Sequence, residues 1–196
     1  MCTTIRIINN YYIMKYIYVS NRTKDTFVKD INKETVYDII HAYKTIKKNK
    51  NSWGIFLINM GKIIGYTQVA YTEESKKPIL HIIWVFLEEE YRGKKICYEL
   101  LKRTIIKHEK NKGKPNLIKM VNAQGMGMLK CSLRVFKELN YKIKIYKNEY
   151  DQIINNKDFD IEEDIKKLKS ISYEKAIDIE EKNKKYDIWN SLFFYK

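Results

Sequence analysis

The chain has 196 residues, of which 44% are hydrophobic, with only 7 Gly and 2 Pro. This length suits one domain with a real core, and the composition excludes a disordered chain or one built on long flexible linkers. The formal net charge is +14, but the lysines are spread along the chain without an arginine-rich arm, so we interpret most of this charge as solvated surface.

The cysteines and the hydropathy pattern indicate the cellular compartment in which the protein works. Cys2, Cys97 and Cys131 have no metal-ligand spacing, and an odd number of cysteines does not suit a disulfide framework. The early apolar run 5–19 is interrupted by polar residues, which is typical of strand rather than of a membrane segment. We therefore predict a reduced, cytoplasmic protein with no metal and no membrane segment.

In the first half of the chain, Asn32–Lys48 carries apolar residues at helical spacing and is predicted as a helix. A turn signal, Asn59-Met60-Gly61-Lys62, predicts a hairpin between two apolar runs. Short apolar or β-branched runs predict four strands, at Met14–Ser20, Trp53–Asn59, Ile63–Thr72 and Ile79–Leu87.

The second half of the chain continues the alternation of strands and helices. Helices are predicted at Lys94–Asn111 and Met128–Leu139, the latter ending at Asn140 as a left-handed cap. Strands are predicted at Leu117–Ala123, Tyr141–Tyr146 and Asp187–Tyr195, with a polar helical insertion at 148–185. The order indicates a single α/β domain over 1–196, with a central mixed antiparallel and parallel sheet flanked by helices.

The segment that carries chemistry runs from Val85 to Leu101. Its pattern predicts a buried strand that ends in a short polar turn, and this turn leads into a helix. A helix start presents backbone N–H groups and about half a positive charge, and Arg92, Lys94 and Lys95 add to it. This favours a site for a phosphate-bearing cofactor, and the alternative is a surface turn with solvated charges.

This segment and the order of elements resemble the GNAT superfamily of N-acetyltransferases, whose signature is Arg/Gln-x-x-Gly-x-Gly/Ala at the start of the central helix. Leu87 occupies the preceding apolar slot and Arg92 the Arg/Gln slot, whereas Lys95 and Cys97 replace the two small residues. The resemblance implies that acetyl-CoA is the co-substrate and that main chain near Phe86 and Leu87 pairs with its pantetheine arm. The backbone N–H groups implied to bind its diphosphate are those of Arg92, Gly93, Lys94, Lys95, Ile96 and Cys97.

A second stretch, 129–141, resembles the family motif Asn-x-x-Ala-x-x-Leu-Tyr-x-x-x-Gly-Phe. Leu129 stands in the Asn slot, and Phe136 stands in the slot of a Tyr that protonates the departing thiolate in many members. Phe136 has no proton to give, so no proton donor stands out. Asn122 and Phe136 complete the predicted cofactor-binding residues.

His81 lies eleven positions before Arg92. In the histone-acetylating branch of the superfamily a Glu general base occupies that position, and an imidazole with a pKa near 6.5 suits the same role. The resemblance thus implies direct attack of a primary amine on acetyl-CoA with His81 as the base. The alternative is a core histidine.

Two other functions remain open. One is a GNAT-fold binding module that has lost catalysis, which Lys95, Leu129 and Phe136 favour. The other is a basic nucleic-acid-binding protein, which would need a clustered basic patch interleaved with aromatic residues. For an enzyme we expect a small-molecule or peptide amine as acceptor, with the insertion at 148–185 shaping the acceptor side or a homodimer contact.

Overall fold

The structure is a computed structural model that describes residues 3–6, 13–24, 37–72, 79–120, 126–145, 168–182 and 192–196. Its contacts divide the chain into two compact units. The first unit comprises 1–70 and 84–107, and the second comprises 71–83 and 108–196. Each unit is built from two separate pieces of the chain, and the assignment of 1–196 to a single domain stays a prediction.

In the first unit, strands that follow one another in the chain are also neighbours in the sheet. Their order is β1 (Thr3–Arg6), β2 (Ile13–Ser20), β3 (Ser52–Asn59), β4 (Lys62–Thr72) and the second half of β5 (Ile79–Leu87). The strands from β1 to β4 pair antiparallel. The β3–β4 hairpin turns at Met60 and Gly61, whose φ angles of 49° and 79° are those of a primed turn.

Helices α1 (Tyr37–Lys48) and α2 (Ile96–Lys112) follow β2 and β5 in the chain. α1 buries Ile39, Ala42, Tyr43 and Ile46 against residues of β2, β3 and β4, as its helical spacing predicts. The start of α2 packs Ile96 against Leu57, Ile64 and Leu87. A buried hydrogen bond of 2.7 Å joins the Thr67 and Thr104 hydroxyls of β4 and α2.

In the second unit, the first half of β5 pairs parallel with β6 (Leu117–Met120). The strand order continues through β9 (Leu192–Tyr195), β7 (Lys142–Ile145) and β8 (Lys169–Ile171), all antiparallel to their neighbours. The remaining helices are α3 (Met126–Glu138) and α4 (Tyr173–Lys182). Phe136 of α3 stacks on Phe194 of β9, with ring centroids 3.6 Å apart.

The mixed α/β fold class predicted from the sequence is confirmed, since the sheet holds antiparallel and parallel pairs and is accompanied by helices. Asn140 is the left-handed cap expected after α3, with a φ of 59°. Helix α2 begins at Ile96 rather than Lys94, because Gly93 and Lys95 are in the left-handed region. Within 148–185, the described part holds the short strand β8, which was not predicted, as well as helix α4; the rest of that range lies outside the described residues.

Candidate functional site

The loop between β5 and α2 carries two left-handed residues. β5 ends at Leu87, Glu89–Tyr91 forms one 3-10 turn, and the chain then passes through Gly93 and Lys95 with φ angles of 76° and 60°. Lys95 accepts the first backbone hydrogen bond of α2, from the N–H of Glu99 at 3.1 Å. Lys95 thus adopts a backbone conformation that glycine favours, at the position where the family signature has glycine.

Arg92 closes the base of this loop. Its Nε donates a hydrogen bond of 3.0 Å to the carbonyl oxygen of Leu87, and its own N–H donates to the Glu89 carbonyl at 3.0 Å. The sequence pattern predicted Arg92 as part of a cofactor loop. In the structure its side chain also ties the end of the strand to the start of the loop.

Tyr91 anchors the other side of the loop. Its hydroxyl accepts a hydrogen bond of 3.0 Å from the Nδ2 of Asn59, which is buried at the end of β3. The Tyr91 ring packs against the cluster that contains Leu57, Ile64 and Leu87. Two strands therefore hold the 3-10 turn in place.

Gly65 of β4 lets the end of β5 come close. A Cβ at this position would lie 2.8 Å from the carbonyl oxygen of Phe86 and 2.9 Å from the Cδ1 of Leu87. Real Cβ atoms avoid such distances, so the main chain at Phe86 and Leu87 depends on this glycine. Sequence reasoning missed Gly65, although an isolated glycine in a strand pattern signals close backbone approach.

The surface of the loop is basic. Arg92, Gly93, Lys94 and Lys95 are exposed, whereas the Ile96 side chain is buried and Cys97 is half-buried against the same apolar cluster. Glu88 is balanced by Lys62, whose Nζ lies 2.9 Å from its carboxylate. Lys95 lies at the surface of this loop and is not packed into the protein interior.

His81 lies in the second unit, half-buried between the fully buried Leu80 and Ile82 of β5. Its register partner on β6 is Lys119. Burial, and to a smaller extent the charge of Lys119, lower the pKa of His81 from 6.5 to about 4. The imidazole is therefore neutral near pH 7, which leaves it able to accept a proton but makes it a weak base.

Phe136 is fully buried between Phe194 and Tyr141, whose ring lies edge-on with centroids 5.6 Å apart. None of the surface of Phe136 is exposed, so its ring packs inside the second unit. Its place in the cofactor site stays a prediction. Asn122 lies outside the described residues.

Among the described residues, no group of three or more His, Cys, Asp or Glu is arranged to hold a metal ion. None of the described helices has the length and apolar character needed to cross a membrane.

The mixed sheet defines an α/β protein, and the basic, glycine-bearing loop at the start of α2 has the backbone geometry that a helix start uses to hold an anion. The sequence profile of the acetyltransferase (GNAT) family matches residues 16–131, which is more than half of the chain. The protein therefore belongs to this family of acyl-CoA-dependent N-acetyltransferases.

Comparisons with curated proteins and with solved structures add less information than the family profile. No curated protein matches the sequence. Among similar solved structures, a predicted acetyltransferase from Clostridium acetobutylicum with acetyl-CoA is 15% identical to this chain. The match covers 65% of this chain and 89% of the other chain, with a TM-score of 0.44. A transcriptional regulator from Bacillus halodurans is 21% identical, with coverages of 64% and 91% and a TM-score of 0.42. An aminoglycoside N-acetyltransferase in complex with CoA is 12% identical, with coverages of 68% and 91% and a TM-score of 0.43.

Proposed function

We propose that this chain transfers an acetyl group from acetyl-CoA to a primary amine by direct attack. The observation that carries the proposal is the left-handed backbone at Gly93 and Lys95, which reproduces the glycine conformation of the family signature despite the lysine. The proposal treats residues 1–196 as one catalytic domain acting in the cytoplasm.

The loop of the first unit would bind the diphosphate. The residues that fit this role are Gly93 to Cys97, through the backbone N–H groups of the loop and of the first turn of α2, where the helix dipole favours an anion. The N–H of Arg92, which the family signature includes, is donated to the Glu89 carbonyl oxygen instead. Lys94 and Lys95 add positive charge beside them, and both are exposed. The main chain at Phe86 and Leu87 would pair with the pantetheine arm, and acetyl-CoA supplies the activated acetyl thioester.

His81 is the proposed proton acceptor. An ammonium must lose a proton before its nitrogen can attack, and the neutral His81 imidazole has a lone pair for that proton. Because Phe136 bears no hydroxyl and is buried, the departing thiolate receives no proton from that helix position.

A matched pair of glycines tests the cofactor loop. Gly93 and Gly113 both have positive φ angles, 76° and 82°, and an added Cβ would meet nothing within 4 Å at either site. Alanine at each position should therefore lower the free energy of unfolding by a similar amount, about 1–2 kcal/mol, because of backbone strain. Only Gly93→Ala should also weaken acetyl-CoA binding, because it alone alters the loop.

The measurement is isothermal titration with acetyl-CoA, followed by CoA release on a panel of amines. In thermal unfolding, acetyl-CoA at about 100 times its dissociation constant should raise the free energy of unfolding of the wild-type protein by about 2.7 kcal/mol. Equal acetyl-CoA affinities for Gly93→Ala and Gly113→Ala would contradict the assignment of the loop. Binding without CoA release on any amine would instead indicate a module that has lost catalysis.

A further inference from the structure

Asn59 places an amide in an apolar part of the first unit. It is the last residue of β3, its register partner on β2 is Met14, and only 3% of its surface is exposed. Directly paired residues, and residues two apart in a strand, share one face of a sheet. The Asn59 side chain therefore lies on the face where Met14, Leu57 and Ile64 belong to one apolar cluster.

Hydrogen bonds satisfy only one half of this amide. The Nδ2 of Asn59 donates to the Tyr91 hydroxyl at 3.0 Å, whereas the buried Oδ1 has no hydrogen-bond partner in the part of the chain that the structure describes. A buried polar atom without a partner makes folding less favourable, and an apolar side chain of the same shape avoids this penalty. Leucine has nearly this shape, so stability alone does not account for an asparagine at position 59.

Tyr91, the partner of Asn59, lies at the entrance to the loop between β5 and α2. It ends the 3-10 turn, and two residues further on is Gly93, where the proposed diphosphate site begins. The Tyr91 N–H donates to the Glu88 carbonyl oxygen at 3.0 Å, and the Nζ of Lys94 lies 5.7 Å from the centroid of the Tyr91 ring. A ring face attracts a cation at this distance. Tyr91 thus contacts both the turn and one of the loop cations.

The opposite end of β3 carries a buried polar residue of another kind. Ser52 is 2% exposed, and its hydroxyl donates to the Val69 carbonyl oxygen of β4 at 2.8 Å. Ser52 is roughly 23 Å from Asn59 along the strand, at about 3.3 Å per residue. The Ser52 hydrogen bond joins two strands of the sheet, whereas the Asn59 hydrogen bond joins the sheet to the loop.

We propose that Asn59 is a positioning residue for acetyl-CoA, which acts by holding Tyr91 and with it the turn that leads into the loop. The proposal rests on the function proposed above. Loop N–H groups that are already arranged for a diphosphate bind it more tightly than groups that must be ordered on binding. Asn59 would therefore raise the affinity for acetyl-CoA although its half-satisfied amide opposes folding.

The test uses Asn59→Leu, Tyr91→Phe and the double variant, each titrated with acetyl-CoA by calorimetry and unfolded by heat. Asn59→Leu should raise the Kd for acetyl-CoA by about fivefold to tenfold, which is the usual worth of one hydrogen bond. Its melting temperature should equal or exceed that of wild type, because the buried Oδ1 is gone. Tyr91→Phe should raise the Kd by the same factor, and the double variant by no more, because all three lose the same hydrogen bond.

A shorter ligand and a control variant separate positioning from a structural role. S-acetylpantetheine has the thioester and the pantetheine arm but no diphosphate, so its Kd should be the same in wild type and in the three variants. Ser52→Ala should show the opposite behaviour to Asn59→Leu. It should lower the melting temperature through the loss of the hydrogen bond to Val69 and leave the Kd for acetyl-CoA unchanged.

Several results would overturn the inference while leaving the acetyltransferase proposal standing. They are an unchanged Kd for acetyl-CoA in both single variants, an equal rise in the Kd for S-acetylpantetheine, or a melting temperature of Asn59→Leu as low as that of Ser52→Ala. If Asn59→Leu does not fold, Tyr91→Phe decides the outcome, since it keeps the ring and loses only the hydroxyl. Wild-type protein that does not bind acetyl-CoA would refute the proposed function together with this inference.

Discussion

The proposed cofactor loop of the first unit and the proposed proton-transfer region of the second depart from the family pattern in different ways. In the loop, Lys95 replaces a glycine, yet its φ of 60° keeps the glycine conformation and its side chain is exposed. In the second unit, Phe136 replaces a proton-donating Tyr and is stacked on Phe194 in the core. A site that works through backbone N–H groups tolerates a new side chain at the cost of strain, whereas a site that works through a hydroxyl is lost with that hydroxyl.

His81 provides the largest test of this contrast, because its proposed role depends entirely on side-chain chemistry. His81→Gln should lower kcat by about 10²–10⁴-fold, the usual contribution of a general base. His41→Gln is the matched control, since His41 is exposed on α1. A kcat for His81→Gln within about twofold of wild type would return His81 to the role of a core histidine.

The pH profile of the wild-type protein completes this test. The working form of His81 is the neutral one, and burial together with Lys119 lowers its pKa from 6.5 to about 4. The His81 imidazole therefore stays neutral down to about pH 5, and its contribution to kcat should be lost only as the pH falls through about 4. An acidic limb near pH 6.5 that disappears in His81→Gln would show that the imidazole is more basic than its surroundings in the structure indicate.

Gly65 tests the backbone side of the comparison. In Gly65→Ala, the new Cβ would approach the Phe86 carbonyl oxygen to 2.8 Å, and the resulting overpacking should cost about 1–3 kcal/mol of stability. Acetyl-CoA binding should weaken as well, because the main chain at Phe86 and Leu87 must move. Chemical denaturation and calorimetry provide the two measurements.

Gly127→Ala is the control for this substitution. Gly127 lies in α3, where an added Cβ meets nothing within 4 Å, so alanine should stabilise the chain by about 0.5–1 kcal/mol. If Gly65→Ala were as stable as wild type and bound acetyl-CoA equally well, the close approach of β4 and β5 would not matter to the site.

The sequence predicted the parts of the fold and site that depend on local pattern. The strand Ile79–Leu87 was predicted with its observed bounds because it is a continuous apolar run. Gly61 in the turn and Asn140 at the cap are residue types that adopt the left-handed region readily, whereas Met60 adopts it because the two-residue turn requires it. These features need no knowledge of distant contacts.

The rest depends on partners that are far apart in the chain. Lys119 was not singled out, because only the β5–β6 register places it beside His81. The burial of Phe136 depends on Phe194, which is contributed by the last strand. Strand β8 is three residues long with two exposed positions, so it carries no apolar alternation that a pattern would detect.

Lys95 gives the smallest expected effect and the sharpest test of how a backbone site absorbs a substitution. A non-glycine residue in the left-handed region is strained by about 1–2 kcal/mol, and part of the relief in Lys95→Gly is offset by the greater freedom of glycine in the unfolded chain. We expect Lys95→Gly to stabilise the protein by about 0.5–1 kcal/mol in chemical denaturation. Lys94→Gly removes the same charge at a position without a positive φ, so it should be neutral or destabilising. Equal changes in the free energy of unfolding for the two variants would mean that charge, and not backbone strain, distinguishes this loop from the glycine-bearing loops of its family.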